Sequence, residues 1–174
     1  MVLLCYFTVY SKISTFTGYK DSSVLKPDGG IERLAYWIGI DPGRVRCGVA
    51  VAQESSPVAT PLTVLDTEPR DTLARRLAAA LDQRTPRALV VGLPLDQHGG
   101  EGEAAHFARA IGELLAQALD VPLEFIDERF STANAQTLRR ETGAKAAKRR
   151  RAIDAGAAAL ILQGFLDRRT ATIE

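Results

Sequence analysis

The chain predicts an α/β domain built on a central, mixed, five-stranded sheet flanked by helices. Three observations carry this. Short apolar runs bounded by Gly and Pro recur, as at 38–40, 47–52 and 88–93, and such runs read as buried strands. Leu73, Leu77 and Leu81, then Phe107, Ile111, Leu114, Leu115 and Ala118, fall at helical spacing. The early strands are separated by turns and the later ones by helices. An antiparallel meander therefore leads into βα units, in the order β-β-β-α-β-α-β-α, with a short extra helix before the last.

Residues 1–35 come first and carry no interpretable motif. The apolar start at 1–10 is too short to span a membrane. It also lacks the basic start and small-residue cleavage site of a secretory signal. The segment reads as an N-terminal extension, disordered in part or a weak β arm, ahead of a domain at 36–170.

Within the domain, 37–41 is the first strand and 45–53 the second. Gly48 lies inside the second strand, where glycine often marks a bulge or a close backbone approach. A short third strand covers 61–65. Thr67-Glu68-Pro69 reads as a helix start, followed by the leucine series. The run at 87–93 is of the parallel, doubly buried type. A loop at 94–102, the Phe107 helix and a fifth strand at 121–128 come next. Ser131 or Thr132 can cap a helix ending at Gly143. The last helix is expected from Ile153 to Asp167.

The bulk numbers exclude little. Charged residues make up 25% of 174, with Lys+Arg 22 against Asp+Glu 21, so net charge does not announce a nucleic-acid binder. The distribution is more informative. Arg139, Arg140, Lys145, Lys148, Arg149, Arg150 and Arg151 form a basic block opposed by Glu141 alone. Cys5 and Cys47 suggest no disulfide framework, which fits a reducing, cytoplasmic setting.

Three carboxylates stand out by position. Asp41 ends the first strand, in Ile38-Gly39-Ile40-Asp41-Pro42-Gly43-Arg44-Val45-Arg46. A carboxylate at the end of a buried strand is costly unless it is paired or binds a metal. The alternative is a turn-forming Asp before Pro-Gly. Asp127 and Glu128 end the fifth strand, and neighbours on a strand face opposite ways. Parity does not choose between them if the strand has already stopped. Asp154 is placed at the start of the last helix. Its companions at i+3, i+4 and i+7 are Ala157, Ala158 and Ile161, which turn it toward the sheet; a dipole or capping role is the alternative.

Acids converging from three elements repel one another and need a counter-ion. Hard oxygen ligands suit Mg²⁺ or Mn²⁺. Two such ions can clamp the attacking and leaving oxygens of a phosphodiester displacement. No Cys–His zinc spacing, P-loop, nucleophile elbow or G-x-G-x-x-G competes with this reading. Gly92-Leu93-Pro94-Leu95 follows the fourth strand at its carboxyl end, where α/β sheets place ligands, though it also fits a simple turn. Arg129 either meets substrate or pairs with an acid beside it. Asp96 and His98 belong to the same loop as Pro94, and His98 reads as a solvated residue. His106, on a helix, reads as structural or exposed. The basic block, read as a mobile connector directly before Asp154, suits a phosphate backbone, with Lys148, Arg149 and Arg150 expected to meet it.

With these residues in hand, the chain resembles the YqgF family, also called RuvX. The match rests on Gly39-Ile40-Asp41-Pro42-Gly43 with Arg46 and Gly48; on Val90-Val91-Gly92-Leu93-Pro94-Leu95; on Asp127-Glu128-Arg129-Phe130-Ser131-Thr132; and on Ile153-Asp154-Ala155 with Ala157, Ala158, Ile161, Leu162 and Gln163. The resemblance implies an RNase H-like fold. It carries the acidic, catalytic metal site onto Asp41, Glu128 and Asp154, and so selects Glu128 over Asp127. It further implies a divalent-metal endonuclease acting on structured RNA, the 5′ end of pre-16S rRNA in ribosome maturation. Resolution of Holliday junctions, a branched DNA, is the alternative.

In this frame Gly43 would let substrate approach the turn and Arg46 would meet phosphate. The family's usual Lys-Arg pair is Val45-Arg46 here, with Arg44 nearby as a substitute. A non-catalytic nucleic-acid-binding module is a second class, disfavoured by the full acidic set. An actin- or hexokinase-type nucleotide site needs two such domains, and 174 residues hold one. An exposed sheet edge or helix could make a homodimer.

Overall fold

In a computed structural model, residues 23–25, 31–56, 58–128 and 146–171 are described. β1 (Ser23–Leu25) and β2 (Ile31–Arg33) pair antiparallel as a small separate sheet. They fall in the segment expected to be an extension, and take the form of a β arm.

The main sheet contains β3 (Ala35–Pro42), β4 (Arg46–Gln53), β5 (Thr60–Asp66), β6 (Thr85–Leu93) and β7 (Leu123–Asp127), in spatial order β5-β4-β3-β6-β7. β4 runs antiparallel to β3 and to β5, whereas β6 is parallel to both β3 and β7. The sheet is therefore five-stranded and mixed, as the sequence predicts. β5 is an edge strand and carries Pro61, which pairs opposite Ala50 beside a register shift. Proline cannot donate to a ladder and is confined to such edges and bulges.

Helices cover both faces. α1 (Leu73–Leu81) and α2 (Glu103–Leu119) lie on one side. Ile38, Ile40, Val49, Leu89 and Val91 point that way, against Leu73, Leu77 and Ile111. Each such fully buried aliphatic side chain contributes roughly 1.5–3 kcal/mol. α3 (Ala146–Ala171) covers the other side, where Ala158, Ile161, Leu162 and Leu166 meet Trp37, Ala50, Ala52, Ala88 and Val90. The rings of Trp37 and Phe165 also meet, tilted by 55° with centroids 5.0 Å apart. No helix among the described residues is long and apolar enough to cross a membrane.

The helix boundaries differ from expectation in informative ways. Thr67 does not start a helix. A 3₁₀ turn at Arg70–Thr72 precedes α1, and Thr67 is a buried tie described below. Ala118 lies on the exposed side of α2, whose buried face is Ala105, Ala108, Ile111, Gly112, Leu115 and Ala116. The largest correction concerns α3, which begins at Ala146 instead of Ile153. Lys148, Arg149 and Arg150 are thus helical, and the basic block is not wholly a connector. Ala, Lys and Arg all favour helix, and nothing between 146 and 153 breaks one. The expected helix at 131–143 lies outside the described residues.

Candidate active site

Strand parity sorts the side chains at one end of the sheet. In β3, Ile38 and Ile40 face α1 and α2, whereas Trp37 faces α3. Alternation puts Asp41 on the α3 face with Trp37. In register, Asp41 stands directly opposite Gly48 of β4. On its other side the β3–β6 ladder ends at Ile40↔Val91, which brings Gly92 alongside Asp41. The carboxylate of Asp41 therefore has a glycine on each neighbouring strand.

Both glycines are cradles. A Cβ on Gly48 would strike the carbonyl of Asp154, so its absence lets α3 sit directly on β4. A Cβ on Gly92 would strike Oε1 of Glu128 and stand 2.6 Å from Cδ1 of Ile161. The Glu128 carboxylate thus lies over β6, one strand spacing of about 4.8 Å from β3. Asp41, Asp154 and Glu128 reach the same end of the same face from three separate elements. Asp127 does not share it. Ile126 packs toward α3 and Phe125 toward α2, so Glu128 follows Ile126 and Asp127 follows Phe125.

Asp154 is not at a helix start. It lies eight residues after Ala146, in the third turn of α3, so neither capping nor the helix dipole explains it. Of its predicted companions, Ala158 and Ile161 are buried and Ala157 is half-buried. Its partner is Arg46, whose Nε donates to Oδ2 at 2.6 Å, with the two side chains 30% and 27% exposed. Arg46 was expected to meet phosphate; here its guanidinium is on an acid of the site.

Three oxygen-donor acids make a suitable set for a hard divalent cation. In this structure they are not drawn up into a closed cage. Among the described residues, no group of three His, Cys, Asp or Glu side chains is close enough to hold an ion. The donor chemistry fits, and one of the three carboxylates, that of Asp154, is paired with Arg46.

The turn between β3 and β4 is held from two sides. Gly43 N–H donates to Arg46 O at 2.9 Å, and a Cβ on Gly43 would stand 2.5 Å from that same oxygen. Glycine here answers first to the closure of the turn. Thr67, fully buried, ties the turn to the chain beyond β5. Its hydroxyl donates to Gly43 O at 2.6 Å, and its N–H donates to Val45 O at 3.0 Å. Sequence reasoning missed this role, because a lone Thr before Glu-Pro resembles a cap. Arg44 turns to the other side, pairing with Glu103 at 2.5 Å and lying over the Phe107 ring, which Arg70 also approaches. Val45 is 73% exposed.

Pro94 follows directly on β6, and Leu95 N–H folds back to Leu93 O at 3.0 Å. Asp96 organises the loop. Its Oδ1 accepts from His98 N–H at 2.8 Å and from Gly100 N–H at 2.7 Å. The His98 side chain is exposed. His106 lies 3.7 Å from Glu101, which Arg109 also pairs; that hydrogen bond holds the Glu101 carboxyl below its usual range. Neither histidine belongs to the acidic site. The buried thiol of Cys47 is pushed up to about 12, first by burial and then by the Asp41 carboxylate. Arg129 lies outside the described residues, as do the side chains of Lys148, Arg149 and Arg150.

Comparison with known proteins bears on this site. The RuvX family model, described as Holliday junction resolvase, matches residues 35–168. A relative from Anaeromyxobacter sp. (strain Fw109-5), named "Putative pre-16S rRNA nuclease", is 44% identical over 135 residues, covering 78% of this chain and 98% of its own. One of the same name from Chloroflexus aggregans is 36% identical over 132 residues, covering 76% and 93%. Among solved structures, Thermus thermophilus RuvC in complex with a Holliday junction substrate overlaps at a TM-score of 0.49 and 20% identity, covering 79% of this chain and 96% of that one.

Proposed function

The chain belongs to the RuvX family, and on that premise we propose that it is a divalent-metal-dependent endonuclease that trims the 5′ end of pre-16S rRNA in the cytoplasm. The observation that carries the chemistry is the pair of glycines beside Asp41. Gly48 and Gly92 serve no turn; they clear the space through which Asp154 and Glu128 approach.

Asp41, Glu128 and Asp154 would hold Mg²⁺ or Mn²⁺, two ions being the usual number for such chemistry. Bound there, the cation supplies charge for the attacking water and for the departing oxygen. The rest falls to the chain itself. β3 fixes Asp41 between two hydrogen-bonded strands, so its carboxylate starts close to its working position. The turn at Gly43, held by Thr67, and the β6 end at Gly92 and Pro94 shape the rim. Arg46, Arg129, Lys148, Arg149 and Arg150 provide positive charge for the phosphate backbone. Residues 36–170 form the nuclease domain, the preceding residues an extension, and a homodimer would set two sites on one substrate.

The test is cleavage of precursor 16S rRNA by pure protein with Mg²⁺. Asp41→Asn should abolish cleavage and leave RNA binding intact. Equal cleavage by both proteins would sink the proposal. The family's description favours a second reading, branched DNA as substrate. A four-way DNA junction assayed in parallel decides between them by relative rate.

A further inference from the structure

Arg46 raises a question that its expected role does not answer. A guanidinium meant only for phosphate would reach into the open rim. It lies instead 2.6 Å from an acid of the site, on the same face as Asp41 and Gly48. Arg46 opens β4 and Asp154 belongs to α3, so the contact joins two elements that already press together at Gly48. Without a cation, several carboxylates at one end of one face repel, and a positive group among them lowers that repulsion. The pair is part exposed, so it is open to exchange rather than locked in the core.

We infer that Arg46 is an exchangeable counter-ion: it neutralises Asp154 in the metal-free protein and is released to substrate phosphate when a divalent cation takes that carboxylate. This rests on the metal-site reading above. It adds an order of events that the reading does not contain. Arg46 meets Asp154 through Nε alone, and while it does so its charge is shared between that carboxylate and any phosphate its other N–H groups reach, so metal and nucleic acid are coupled through it. The coupling is reciprocal: metal strengthens nucleic-acid binding, and nucleic acid strengthens metal binding. It also makes the metal-free site a weak phosphate binder, because its arginine is already engaged.

The experiment measures Mn²⁺ affinity by electron paramagnetic resonance, using full-length wild type, Arg46→Ala, Arg46→Gln and Asp154→Asn. Removing the competing charge should tighten Mn²⁺ binding in both Arg46 variants by about fivefold at low salt, with less effect at high salt. RNA binding of the wild type should rise on adding Ca²⁺ or Mn²⁺, and this rise should shrink in both Arg46 variants. Melting temperature without metal reports whether each variant is folded, and Arg46→Gln keeps the inference testable if Arg46→Ala is not. Unchanged or weaker Mn²⁺ binding in the folded Arg46 variants overturns the inference and leaves the metal site standing. Mn²⁺ binding that is absent in wild type, or unaffected by Asp154→Asn, overturns the metal-site reading and this inference with it.

Discussion

The carbonyl of Asp154 occupies the space that a side chain at Gly48 would need. Helix α3 meets strand β4 backbone to backbone at that point, directly across the ladder from Asp41. The closeness of helix and strand sets how near the two acids come, so the first prediction addresses it. Gly48→Ala must push α3 outward against its own backbone. The expected cost is about 3 kcal/mol, or roughly 10 °C in melting temperature. Cleavage should fall further than the folded fraction does. Thermal melts and single-turnover rates on folded protein check both.

Gly92→Ala separates the site from the fold. The nearest atoms to its added methyl are the carboxylate end of Glu128 and Cδ1 of Ile161, both ends of flexible side chains. Stability should drop less than in Gly48→Ala. Displacing Glu128 by about 1 Å should cost on the order of 100-fold in the cleavage step. Equal loss of stability and activity in the two variants would contradict this.

Thr67→Val removes the hydroxyl that bonds Gly43 O at 2.6 Å and leaves a carbonyl of the turn without that donor. The loss should be about 1–3 kcal/mol in urea denaturation. Thr67→Ser should recover most of it.

Cys47 should resist alkylation in the folded protein. In a Cys5→Ser background at pH 8, iodoacetamide should label it only after unfolding, because the reactive thiolate is suppressed by burial. The sign of the pH effect follows. A thiol raised from 9.0 to about 12 holds its proton longer in the folded state than in the unfolded one. Its contribution to stability is full below pH 9 and is lost as pH climbs toward 12. Rapid labelling of native protein at pH 8 would contradict the burial.

Much of this was legible in the sequence, and for physical reasons. Buried strands need continuous apolar runs, and α1 shows its leucines at each turn, so sheet and helices could be placed from residue type alone. Gly48 signalled a bulge or a close backbone approach, because a glycine inside a strand otherwise costs stability, and the structure shows the close approach. The resemblance selected Glu128 over Asp127, and the structure puts Glu128 on the face that carries Asp41. What stayed hidden depended on contacts distant in sequence. Arg46 and Asp154 are 108 residues apart, and nothing local in either says they meet. Gly92 reads as a turn residue until Glu128 is seen lying over it. Thr67 reads as a cap until the turn it ties is folded back beside it. The start of α3 was misplaced because a run of charges resembles a solvated connector, although Lys and Arg propagate a helix well.

The margins of the sheet bear on assembly. On one side β5 carries Pro61 and a register shift against β4, and on the other β7 runs for only five residues. Strand addition needs a long, regular row of main-chain donors and acceptors. β5 breaks that row. Among the described strands, the β5 margin is thus protected from edge-to-edge stacking, and a second copy docking there would do so through side chains.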